Sequence, residues 1–208
     1  MLLAETLRSV TAIVLASGSP RRRELLGQLL PVGADFRVQS STFAEDLPKG
    51  DAPHAYCVET ARRKGEEVCA AVDDPGALII SADTVVVRGA AVLEKPADAE
   101  DAAAMLQSLS GRRHEVVTGV ALFHGGRCRA FHEVTAVSFS ELSDAAIAAY
   151  VATGDPLDKA GAYGIQGRAG AFVDKIDGCY YNVVGFPLNR VAREVAEFLE
   201  EGSGPSGS

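Results

Sequence analysis

Positive charge is the first thing this sequence is short of. Its 20 Lys and Arg face 28 Asp and Glu, a formal charge of −8, which argues against a general nucleic-acid binder. A small anionic ligand stays open, because a local basic cluster can invert the field. Cysteine pairing is missing too. Cys57, Cys69, Cys128 and Cys179 show no Cys-x-x-Cys spacing, and four thiols in 208 residues are too sparse for a disulfide scaffold. They read as reduced core thiols of a reducing compartment, so a cytoplasmic location is expected. His54, His114, His124 and His132 make no metal-binding pattern. No apolar stretch reaches membrane-spanning length, and no membrane partner is expected. Residues 1–10 place Glu5 and Arg8 among leucines, unlike a signal peptide. Trp is absent and aromatics are 6% of the chain, yet hydrophobic residues at 47% supply a sizeable core.

What is present centres on Leu78-Ile79-Ile80-Ser81-Ala82-Asp83-Thr84-Val85-Val86-Val87. So dense a run of Leu, Ile and Val predicts a strand buried on both faces, yet Asp83 interrupts it. An unpaired carboxylate removed from water costs several kcal/mol or more, so Asp83 requires cations, N–H donors or a metal. It belongs either to a structural ion pair or to a working site.

Upstream, Ala12–Ala16 predicts a strand running into Ser17-Gly18-Ser19-Pro20 and a helix. Ser19 suits the N-cap and Pro20 the first helical position. A strand, a small-residue turn and a helix N-terminus together suit a phosphate. Arg21, Arg22 and Arg23 lie in that first turn, against the helix dipole, which suggests an expected anion or a solvated basic face. No Gly-Lys-Ser/Thr follows, so this is not a P-loop. A helix from Pro53 buries Cys57, Val58, Ala61, Gly65, Val68, Cys69 and Val72; Lys64 falls about 20° from Cys57 on its wheel and can snorkel outward or enter a cleft. Ala91–Leu93 returns as a hairpin and delivers Glu94-Lys95-Pro96. Asp98 and Ser143 are helix caps. Phe172–Ile176, Asp177-Gly178 and Cys179–Val184 read as a hairpin, and a last helix starts at Pro187. Hairpins mixed with crossovers predict an α/β fold with a mixed twisted sheet and flanking helices.

Arg21, Arg22, Lys64, Lys95 and a helix N-terminus around one acid fit a polyphosphate. The acid would accept a proton from water or hold Mg²⁺ at the scissile anhydride. No Ser-His-Asp or Cys-His set stands out, so water is the expected nucleophile.

The order of motifs is specific. Leu15-Ala16-Ser17-Gly18-Ser19-Pro20-Arg21-Arg22, Ser81-Ala82-Asp83-Thr84-Val85-Val86, Leu93-Glu94-Lys95-Pro96, Asp158-Lys159-Ala160-Gly161-Ala162-Tyr163-Gly164-Ile165-Gln166-Gly167 and Asn182-Val183-Val184-Gly185-Phe186-Pro187 succeed one another. This string resembles the Maf family of nucleoside triphosphate pyrophosphatases. The resemblance implies two lobes around a cleft, similar to the inosine triphosphatases. It implies hydrolysis of a nucleoside triphosphate to monophosphate and diphosphate with a divalent cation, Mg²⁺ or Mn²⁺, with Co²⁺ as a further candidate. By position, Asp83 matches the proton acceptor, and Ser17, Arg22, Lys64 and Lys95 match phosphate-site residues. Glu45 matches an acid near the metal. Arg21, Thr84 and Gln166 match base-specificity positions, in the form of the branch acting on dTTP and UTP. A homodimer is a further expectation from the resemblance. Its domain would span 12–200, between an N-terminal extension (1–11) and a disordered tail (201–208). Two other readings remain: a nucleotidyltransferase on a pyrimidine triphosphate, and a non-catalytic nucleotide-binding regulator of cell division.

Overall fold

The computed structural model describes residues 3–44, 47 and 52–202; Glu45 and residues 203–208 of the tail lie outside them. Ile13–Ala16 forms β1, buried along its length. Ser19 accepts from the Arg22 N–H and Pro20 opens α1 (Pro20–Leu29), as the cap signal anticipates. A two-residue edge strand, β2 (Arg37–Val38), runs parallel to β1. Helix α2 (Pro53–Val72) follows, then the long strand β3 (Leu78–Arg88), parallel to β1, and its return β4 (Ala91–Leu93). Asp98 caps α3 (Ala99–Leu109). Strands β5 (Arg113–His124) and β6 (Arg127–Phe139) form a long antiparallel pair, and Ser143 caps α4 (Asp144–Val151). Short 3-10 turns lead through Asp155–Asp158, Ala160–Ala162 and Arg168–Phe172 to β7 (Val173–Asp177). Helices α5 (Tyr180–Val184) and α6 (Leu188–Gly202) complete the order. The sheet runs β2-β1-β3-β5-β6-β7, with β4 also on β3, which is the mixed α/β sheet the element order predicts.

Alternation along β3 explains the layers. Ile79, Val85 and Val87 face α2. Leu78, Ile80 and Ala82 point the other way, into a core with Leu25, Leu26, Val191 and Phe198 from α1 and α6. Farther along that same face, Val86 joins a second core with Leu106, Leu109, Ile147 and Tyr150 from α3 and α4. One sheet face thus carries two apolar clusters, and Thr84 falls between them. Leu3, Leu7 and Val10 pack into the α1/α6 core, so residues 3–10 are folded onto the domain.

Two expectations are corrected. Residues 201 and 202, expected in a disordered tail, close α6. Cys179–Val184 is not a hairpin partner for β7. Strand β7 pairs with β6 instead, and Tyr180–Val184 is a short helix ending on Gly185 in the left-handed region. The reason is Asn182, which is fully buried and donates through Nδ2 to the Val116 carbonyl and to Thr135 Oγ1. Thr135 also engages both the N–H and the C=O of Cys179. Backbone groups that a strand would pair are satisfied by side chains here.

His114 lies in the α3/α4 lobe, 2% exposed, with Nε2 2.8 Å from the Tyr163 hydroxyl and its ring edge-on to Phe139. Burial pushes its pKa down to about 4, opposed by the Arg112 backbone. Between that value and the ordinary 6.5, the unfolded chain binds a proton that the folded one refuses. Stability therefore rises with pH across this window and is lost as pH falls through it, by on the order of 3 kcal/mol. Urea unfolding from pH 7 to pH 4 should show this slope, and His114→Phe should flatten it. An unchanged slope in the variant would remove His114 as its source.

Candidate active site

Strand β1 stops pairing with β3 at Ala16 opposite Ser81, and β4 begins pairing at Val86 opposite Leu93. On the other edge, β5 accompanies β3 without a break from Ile79 to Val87. Ala82–Val85 therefore face a gap in one edge of an otherwise buried strand. A cleft of about 690 Å³ opens there, within the range of small-molecule sites, beyond the carboxyl end of a parallel strand where open α/β sheets commonly bind ligands. Asp83 and Thr84 leave β3 on opposite faces, and both line this cleft.

Asp83 is 5% exposed. Its Oδ1 accepts from Lys64 Nζ at 2.7 Å, in a pair whose side chains are 13% and 8% exposed. Cys57 lies on the same side, with Sγ 3.1 Å from the Asp83 carbonyl and 3.8 Å from Oδ2. Burial first, and then the Asp83 charge, push the Cys57 thiol up, so it stays protonated. The helical-wheel neighbours Cys57 and Lys64 thus flank one carboxylate.

Two glycines permit that approach. A Cβ on Gly119 would lie 2.4 Å from the Cys57 carbonyl oxygen, and one on Gly65 would lie 2.2 Å from Phe123 and 2.6 Å from Ser81 Oγ. Ser81 Oγ donates to the Ala61 carbonyl at 2.6 Å, tying helix to strand. Gly119→Ala should push α2 away, cost about 1–3 kcal/mol by overpacking and lower activity by more than the stability loss explains. Melting and turnover assays check this; full turnover would show that the helix-to-sheet distance does not matter.

On the α1 side, Arg22 reaches into the gap. Its Nη1 donates to the Ala82 carbonyl at 2.9 Å and to Ser17 Oγ at 3.2 Å, Nη2 donates to Thr84 Oγ1 at 2.8 Å, and Nε donates to the Gly185 carbonyl at 2.9 Å. Among the described residues, four neutral acceptors from three segments hold the guanidinium at the cleft. Ser17 is buried and also accepts from the Ser19 N–H. Lys95 and Gln166 are exposed and line the cleft. Arg21 lines it too, but its Nη1 meets Asp158 Oδ2 at 3.2 Å, so the charge that reads as awaiting an anion already has a partner in the protein. Asp158 also pairs with Lys159 at 2.5 Å. The structure gathers Ser17, Arg21, Arg22, Lys64, Asp83, Thr84, Lys95 and Gln166 on one cleft.

Sequence reasoning missed Glu94 and Tyr56. Glu94 lines the cleft and accepts from the Tyr56 hydroxyl at 2.5 Å. Burial and Glu94 raise the Tyr56 pKa, so Tyr56 remains a donor. The signal was available in the hairpin return, where Glu94 directly follows the last β4 residue. Glu67 on α2 was missed as well. Hydrogen bonds from Ser41 and Thr42 hold its pKa down to about 2. It accepts from the Phe43 N–H at 2.9 Å and from the Ser41 hydroxyl, fixing the chain just before Glu45.

Among the described residues no group of three or more His, Cys, Asp or Glu could hold a metal. Mg²⁺ does not require one, since it is commonly held by one or two carboxylates plus phosphates and water. Asp83 and Glu94, hard oxygen donors on one cleft, fit such a cation in kind.

A family model described as Maf-like protein matches residues 12–198. A Thermococcus onnurineus protein named dTTP/UTP pyrophosphatase is 50% identical over 179 residues, covering 86% of this chain and 94% of that one. A Symbiobacterium thermophilum protein of the same name is 48% identical over 186 residues, covering 89% and 93%. A human protein named probable bifunctional dTTP/UTP pyrophosphatase/methyltransferase is 43% identical over 199 residues, covering 89% of this chain and 32% of its own length.

Proposed function

The chain belongs to the Maf family, and on that premise we propose that its cleft hydrolyses nucleoside triphosphates, dTTP and UTP foremost, to the monophosphate and diphosphate. The single observation that carries this reading is the Asp83–Lys64 pair opposite the Arg22 guanidinium, in a gap of the sheet beside the N-terminus of α1. A carboxylate beside an ammonium and a guanidinium matches a reaction in which water must lose a proton while a polyanion is held. The relatives' names favour a pyrophosphatase over a nucleotidyltransferase or a non-catalytic regulator.

In this mechanism Asp83 accepts the proton of a water that attacks the α-phosphorus in line. The bond from the α-phosphorus to the bridging oxygen breaks, and diphosphate leaves with the electron pair. Arg22, Ser17, Lys64 and Lys95 hold the phosphate oxygens, and Arg22 enters pre-oriented, so little reorganisation accompanies the reaction. Arg21, Thr84 and Gln166, which line the same cleft, would read the base. A Gln side chain offers both donor and acceptor, the combination a uracil or thymine edge requires. A divalent cation, held by Asp83, Glu94 and Glu45, would neutralise charge on the leaving diphosphate; Mg²⁺ and Mn²⁺ are the first choices. We extend the proposal to a homodimer working on the cytoplasmic nucleotide pool.

A screen of standard and modified nucleoside triphosphates with Mg²⁺, Mn²⁺ and Co²⁺, reading diphosphate, tests the reading. Diphosphate from dTTP and UTP above all others is expected. No diphosphate with any nucleotide and metal would overturn it, and consumption of UTP only with a sugar phosphate present would favour the transferase.

A further inference from the structure

The apolar face shared by the two cores is crossed by a polar row. Thr84 on β3 pairs directly with Thr118 on β5, and Thr135 lies on the next strand, opposite Val116. Thr118 and Thr135 are fully buried, as is Asn182, which plugs the row from α5. Three threonines between Ile80, Val120 and Leu122 on one side and Val86, Val116 and Val137 on the other are costly unless each hydroxyl is satisfied.

The hydrogen bonds of this row have a fixed direction. Thr118 Oγ1 is 3.2 Å from the backbone carbonyl of Asn182, which can only accept, so the Thr118 hydroxyl proton points there. Thr118 and Thr84 Oγ1 are 3.0 Å apart. With the Thr118 proton already committed, the Thr84 hydroxyl must donate to Thr118. That leaves the Thr84 lone pairs facing Arg22 Nη2 at 2.8 Å. Without Thr118 as acceptor, the Thr84 hydroxyl proton loses its fixed partner, and the lone pairs that face the guanidinium are no longer held in one direction.

We propose that Thr118, out of reach of any ligand, is a positioning residue for Arg22. Through Thr84 it fixes the plane in which the guanidinium meets a bound anion. The consequence for catalysis rests on the proposed triphosphate chemistry, but the positioning itself does not. Thr118→Val keeps the shape and removes the relay; Thr118→Ser keeps the relay.

The test has two arms. The Arg22 side-chain Nε–H, which donates to Gly185, is followed by ¹⁵N NMR in the full-length protein. Its resonance should shift and exchange faster with water in Thr118→Val and return in Thr118→Ser. An unmoved resonance in Thr118→Val would overturn the proposal whatever the protein hydrolyses. In the second arm, Thr118→Val should raise KM for dTTP about tenfold with kcat within about twofold, and Thr118→Ser should restore it. In an Arg22→Ala background the same substitution should change KM by less than about twofold, because the contact it serves is gone. An equal loss in both backgrounds would make Thr118 merely structural and overturn the proposal. If the resonance moves but wild-type protein yields no diphosphate, the triphosphate reading fails and the positioning stands.

Discussion

Asp83→Asn should lower diphosphate release by about 10²–10⁴-fold, the usual contribution of a general base, with nucleotide binding still measurable. The amide matches the carboxylate in shape, so a 5% exposed position tolerates it sterically, and Arg22 keeps its four acceptors among the described residues because none is the Asp83 side chain. What is lost is the site for the proton of the attacking water, together with the charge that pairs with Lys64 and would help to hold the cation. Single-turnover assays beside a direct binding measurement separate the two effects. Wild-type-like turnover in this variant would remove Asp83 from the role of proton acceptor.

The second large effect concerns the ion pair as a unit. Lys64→Met should destabilise the protein by about 3–5 kcal/mol, the usual consequence of leaving one partner of a buried pair unmatched. It should also abolish most turnover, since Lys64 pairs with Asp83 and, in the proposed mechanism, would hold phosphate oxygens. Adding Asp83→Asn to Lys64→Met should recover part of the stability, because the stranded charge is then gone. Urea unfolding of the wild type, the two single variants and the double variant measures this coupling. Additive losses would mean that the 2.7 Å contact contributes nothing as a pair.

Much of this site could be read in the sequence because it rests on local rules. A β-branched run with one acid marks β3 and Asp83, and Ser19-Pro20 marks the start of α1. Helical spacing sets Lys64 beside Cys57, and both flank Asp83. The unread parts depend on pairings that local rules do not carry. Threonines in strands satisfy β propensity, so Thr84 and Thr118 gave no sign of a directed relay. Arg21 read as a cation awaiting an anion, while its partner Asp158 lies far along the chain. Cys179–Val184 is short enough to fit strand or helix, and only the buried contacts of Asn182 with Val116 and Thr135 decide it. The role of Tyr56 depends on the β3–β4 return that brings Glu94 to it.

The most direct test is hydrolysis of dTTP by the wild-type protein in ¹⁸O-labelled water, with products followed by ³¹P NMR. Attack on the α-phosphorus puts the label into the monophosphate and leaves an unlabelled diphosphate in equal amount. Label in the diphosphate, or release of orthophosphate, would show that the cleft around Asp83 does not act on the bond assigned to it.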